Sequence, residues 1–107
     1  MNKNVIKTII KNECLYGDIN IIKNENELNN SILKILNKDT KFDYTIIFNI
    51  IDNLDILISN TISKIIIIID TEKSNYKKLF KKIKINKLYL VENYYVAIGG
   101  NKNEKEN

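Results

Sequence analysis

The sequence predicts an α/β domain: a three-layer sandwich with a mainly parallel central sheet and helices on its faces. Three observations carry that expectation. Ile65 to Ile69 is an unbroken run of five β-branched residues, the side chains that fit best on a pleat covered from both sides. Segments with helical spacing stand before and after it. Strand-like and helix-like stretches alternate through most of the chain, which implies parallel pairing, right-handed crossovers and helices packed on the sheet.

Taken in order, Val5–Ile10 and Cys14–Ile22 are short β-prone runs broken by Gly17-Asp18, and read as two strands. From Asn26 the period changes. Leu28, Ile32, Ile35 and Leu36 fall at i, i+4, i+7 and i+8, one face of a helix reaching about Asn37, with Asn26 as its N-cap. Tyr44–Ile51 is nearly continuous apolar sequence, a strand covered on both faces. Asp52 can cap a helix whose stripe is Leu54, Leu57 and Ile58. Ile65–Ile69 follows as the central strand, expected between Tyr44–Ile51 and Leu88–Val91. Asp70 and Thr71 are turn or cap residues after it. Tyr76, Leu79, Phe80 and Ile83 mark a further amphipathic helix, Leu88–Val91 a strand, and Tyr94–Ile98 its hairpin partner or a short final helix. The predicted order is β-β-α-β-α-β-α-β. Residues 1–98 form a single domain, and 99–107 form a polar tail without order of its own.

Composition supports one core and narrows the chemistry. With 44% hydrophobic and 28% charged residues in 107, the chain is globular rather than disordered. It contains 23 Ile, 18 Asn and 17 Lys, and no Arg, His, Pro or Trp. The three favoured residues share A- and T-rich codons, so an A+T-rich genome accounts for the bias. One cysteine, Cys14, leaves no intrachain disulfide. Without His there is no zinc ligand set and no Ser-His-Asp or Cys-His machinery. The only glycines, Gly17, Gly99 and Gly100, form no phosphate-cradling loop. No aliphatic run approaches a membrane span, and the first residues lack the apolar core of a signal peptide. A cytoplasmic, reducing location is expected, with neither cofactor nor membrane partner.

The charge is concentrated. Residues 73–87 hold seven lysines and no acid, whereas residues 1–72 hold eight lysines and ten acids. Lys73, Lys77 and Lys81 are spaced i, i+4, i+8, Lys78 pairs with Lys82, and Lys84 and Lys87 lie in the exit from the helix. These repelling neighbours lack the acids that usually relieve a solvated face. All seven are therefore candidate RNA-phosphate contacts, the alternative being a solvated face written in lysine by the codon bias. Tyr76, Tyr89, Tyr94 and Tyr95 lie close by in sequence and could stack bases, although such residues are more often core or half-buried sheet aromatics. Asp52 and Asp70 follow predicted strands, at the edge where open α/β sheets bind ligands. Two carboxylates there could hold Mg²⁺, but Asp is also a favoured N-cap, and no third acid accompanies them.

Two resemblances bear on function. Residues 54–100 resemble the kink-turn-RNA-binding ribosomal protein superfamily, through Asn53-Leu54-Asp55-Ile56-Leu57-Ile58, then Ser63-Lys64 entering the Ile65–Ile69 strand, then Asp70 to Lys78, and lastly Ala97-Ile98-Gly99. That resemblance implies an α/β/α sandwich and RNA binding within a ribonucleoprotein, the ribosome included. Gly17-Asp18-Ile19-Asn20, the following helix and buried strand, and the ending Leu79-Phe80, Ile85, Val91 and Ala97-Ile98 look like a STAS domain. This second likeness implies a protein-interaction or regulatory module. The leading expectation is a non-catalytic RNA-binding component of a ribonucleoprotein. A STAS-like module with a protein partner is the alternative, and an Mg-dependent phosphoryl-transfer or nuclease-type enzyme stands third.

Overall fold

The computed structural model describes residues 3–49, 53–72, 81 and 83–101. Its elements are α1 (Lys3–Glu13), β1 (Ile19–Ile22), α2 (Glu25–Lys38), β2 (Phe42–Phe48), α3 (Leu54–Ser59), β3 (Thr61–Asp70), β4 (Ile83–Val91) and β5 (Tyr94–Asn101). The five strands form one sheet in the order β1-β2-β3-β5-β4.

The α/β class holds, and two corrections follow. Val5–Ile10 is not a strand but the body of α1. Ile6, Ile9, Ile10 and Glu13 recur at helical spacing and all turn towards the sheet, so the need to cover a second sheet face outweighs the β propensity of isoleucine. The sheet is also mixed rather than mainly parallel. β1, β2 and β3 run parallel, but β5 is antiparallel to both β3 and β4. The cause is the two-residue connection Glu92-Asn93, with Glu92 at φ 54°, which makes β4 and β5 a hairpin. Ile65–Ile69 is central and wholly buried as expected, but its neighbours are β2 and β5, and the Leu88–Val91 strand is displaced to the edge.

Strand alternation divides the core into two. Ile65, Ile67 and Ile69 face one side with Ile22, Ile47 and Ile83, under Leu28 and Ile35 of α2 and Leu54, Leu57 and Ile58 of α3. Ile66 and Ile68 face the other with Ile46, Val96 and Ile98, under Ile6 of α1. The helices therefore lie on both faces, giving three layers.

Smaller differences concern boundaries. The N-cap of α2 is Asn24, not Asn26: its Oδ1 accepts from the Glu27 N–H at 2.9 Å, and Glu27 Oε1 accepts from the Lys23 N–H at 2.7 Å. This is a reciprocal capping box. Leu36 is exposed, and the buried residues of α2 are Leu28, Ser31 and Ile35. The residue capping α3 is Asn53, in left-handed conformation, and Asp52 lies outside the described residues. β5 continues to Asn101, so Gly99, Gly100 and Asn101 belong to the sheet rather than to the tail. The helix expected around Tyr76–Ile83 falls mostly outside the described residues, except that Lys81 is helical and Ile83 opens β4. No described helix is long and apolar enough to cross a membrane.

Candidate nucleic-acid interface

The lysines that can be placed are set by strand register. Lys84 lies opposite Gly100 and Lys87 opposite Ile98. Two positions apart on β5, Ile98 and Gly100 share a face, the one that α1 covers. Lys84 and Lys87 are three apart on β4 and would ordinarily point to opposite faces. The register shift between Ile85 and Lys87 inserts Asn86 as an extra residue and re-aims Lys87 to the face of Lys84. Lys64 of β3 pairs with Tyr44 and shares the face of Ile66, again that of α1. Three lysines from two strands thus converge on one side of the sheet.

A carboxylate meets two of them. Glu13, the last residue of α1, has a side chain only 7% exposed. Its Oε1 accepts from Lys64 Nζ at 2.8 Å and its Oε2 from Lys87 Nζ at 2.9 Å. Lys64 Nζ also reaches the Glu13 carbonyl oxygen at 3.4 Å, where an ammonium complements the negative end of the helix. The hydrogen bonds from Lys64 and Lys87 hold the Glu13 carboxyl below the usual carboxylate range, outweighing desolvation. Reciprocally, Glu13 raises the pKa of Lys87. The side chains of Lys64 and Lys87 are 39% and 56% exposed, against 7% for Glu13. Cys14, next in sequence, is half-buried against the α1-side core, and burial pushes its thiol up. A raised pKa disfavours the nucleophilic thiolate.

The carboxyl edge of the parallel strands is organised differently. Asn49, just past β2 at φ 57°, donates its N–H to the Ile68 carbonyl at 2.8 Å. Its Oδ1 accepts from the Asp70 N–H at 2.8 Å. Asp70 Oδ1 in turn accepts from the Glu72 N–H at 2.9 Å, an Asx turn that closes β3. At this edge Asn49, Asp70 and Glu72 are thus linked to one another by hydrogen bonds. Asp70 therefore does what a capping aspartate does, and no group of three metal-ligating side chains occurs among the described residues. At the start of α2, the N–H groups of Lys23 and Glu27 are taken by Glu27 and Asn24, leaving them unavailable to an anionic ligand.

Of the sequence candidates, Lys73, Lys77, Lys78 and Lys82 lie outside the described residues, as does Tyr76. Lys81 is exposed and helical, and Lys84 is exposed on β4. Tyr89 is exposed on the same strand, whereas Tyr94 and Tyr95 are half-buried against the two cores. Lys64 and Glu13 were not legible as site residues. Lys64 sits 51 residues from Glu13 and Lys87 sits 74, and no local pattern links them.

No family model and no curated protein matches this chain. Among solved structures, the fold is similar to that of the 16S rRNA methylase ArmA, with a TM-score of 0.58 and 13% identity over 92% of this chain and 81% of that one. It is also similar to the 16S rRNA methylase RmtB, with a TM-score of 0.51 and 10% identity over 91% of this chain and 62% of that one. The shared feature is the fold. These neighbours are neither kink-turn-binding ribosomal proteins nor STAS domains.

Proposed function

We propose that this domain is a non-catalytic RNA-binding component of a ribonucleoprotein, contacting the phosphate backbone from the α1 side of β4. The observation that carries the reading is the convergence of Lys64, Lys84 and Lys87 on one sheet face, the last two being the end of a segment with seven lysines and no acid. Phosphate contacts from such a surface supply sequence-independent affinity and orient the protein on its RNA. The fold common to two rRNA methylases supports an RNA partner. The non-catalytic part of the reading is supported by the hydrogen bonds that tie Asn49, Asp70 and Glu72 together and by the capping box at the start of α2.

The test is RNA affinity measured against salt. Each lysine–phosphate contact should contribute about 0.7–0.9 to the slope of log affinity on log salt. Lys84→Gln should lower the slope by about one contact without loss of folding, and Lys77→Gln/Lys81→Gln by about two. Weak binding that does not vary with salt in the unaltered protein would defeat the proposal. A second reading, methyl transfer to RNA, is favoured by the fold of the two neighbours, and incorporation of a labelled methyl group into RNA would establish it.

A further inference from the structure

We infer that Lys64 and Lys87 form a binding site for one RNA phosphodiester, and that Glu13 fills this site in the free protein as an internal competitor. The inference rests on the RNA-binding reading above and specifies how that site is regulated. The two ammonium groups hold the two oxygens of a single carboxylate at 2.8 and 2.9 Å. A phosphodiester presents two non-bridging oxygens with nearly the same spacing and the same single negative charge. It can therefore take the place of the carboxylate without changing the number of charge-assisted hydrogen bonds. The exposure is asymmetric in the sense required: the Glu13 side chain is 7% exposed, whereas the side chains of Lys64 and Lys87 are 39% and 56% exposed. A polyanion can approach the lysines from solvent while Glu13 swings out.

The position of Glu13 makes the exchange feasible. It is the last residue of α1, so its side chain can leave without unwinding a helical turn. Ile6 keeps the other end of α1 in the core. Lys84 lies on the same face, opposite Gly100, which has no side chain to obstruct a strand of RNA lying across it.

The decisive experiment compares RNA affinity of the full chain and Glu13→Gln across a salt series. Removing the competing carboxylate should tighten RNA binding across the salt series while leaving the slope nearly unchanged, because Lys64 and Lys87 make the same two phosphate contacts in both complexes. Identical affinity in the two proteins would overturn the inference and leave the cluster as a purely structural tie. Should Glu13→Gln fold poorly, Lys87→Gln keeps the Glu13–Lys64 pair. Its slope should fall by about 0.7–0.9 if Lys87 contacts RNA, and stay unchanged if Glu13 never releases it. An arm with inorganic phosphate separates this inference from the RNA reading. The lysine ammonium NMR signals of Lys64 and Lys87 should shift on phosphate addition in Glu13→Gln and much less in the unaltered protein. Absence of RNA binding alongside that shift would remove the RNA reading and keep the anion site; no shift in Glu13→Gln would remove the site.

Discussion

Replacing Ile67 with Ala tests the packing on which the fold rests. Ile67 is 0% exposed in the middle of β3, on the face covered by α2 and α3. The substitution removes three carbons, which at about 0.8 kcal/mol per buried methylene amounts to roughly 2.4 kcal/mol. A residual void of about 50 Å³ would add roughly 1.2 kcal/mol at about 24 cal/mol per Å³. The expected loss is thus about 3–4 kcal/mol. Ile62 provides the internal control. It lies on the same strand with the same side chain but is 64% exposed, so Ile62→Ala should cost less than about 0.5 kcal/mol. Equilibrium urea unfolding of the three proteins, with equal m-values, measures the difference. If Ile67→Ala and Ile62→Ala lose the same stability, the assignment of β3 as a doubly covered central strand is wrong.

Other expectations follow from single contacts. A Cβ at Gly99 would run into the Lys84 carbonyl across the β4–β5 pair, so Gly99→Ala should destabilise by about 1–3 kcal/mol, read by thermal unfolding. Asn24→Ala removes the α2 cap and should cost about 1 kcal/mol in the same assay, whereas Asn26→Ala should be near neutral. Because the Glu13 carboxyl is held below its ordinary value near 4.5, its contribution is fully present above that pH and disappears as pH falls through the lower folded value. Acid titration of stability should therefore show a smaller loss below pH 4.5 in Glu13→Gln than in the unaltered protein.

The elements that sequence exposed most clearly are those whose signal is local. The Ile65–Ile69 run, the Leu54/Leu57/Ile58 stripe and the Leu28/Ile35 face each reflect a period set by one element against one surface. The N-cap of α2 was equally available, since Asn24 and Glu27 have the capping-box spacing that Asn26 lacks. Val5, Ile6, Ile9 and Ile10 of α1 satisfy both strand propensity and helical spacing, and only the bare second face of the sheet decides between them. The insertion of β5 between β3 and β4 is a choice among partners separated widely in the chain, and strand composition does not encode it. The same holds for Glu13, whose partners lie on β3 and β4. The bulge at Asn86, which decides where Lys87 points, leaves no mark in the alternation of its neighbours.

The place of β5 has a consequence for how the chain is made. Its eight residues are the last to enter the sheet, and they complete β3 on one side. While the ribosome is still producing residues 71–101, β3 stands as an open edge bearing five consecutive isoleucines with no charge among them. Such a segment readily pairs with other chains, and the nascent polypeptide passes through this hazard every time it is synthesised. Closure requires the β4–β5 hairpin to form and dock as a unit, because β4 reaches the rest of the sheet only through β5. Truncation within the final strand should therefore yield aggregated rather than merely less stable protein, and conditions that slow elongation over the lysine-rich segment should prolong the exposed state.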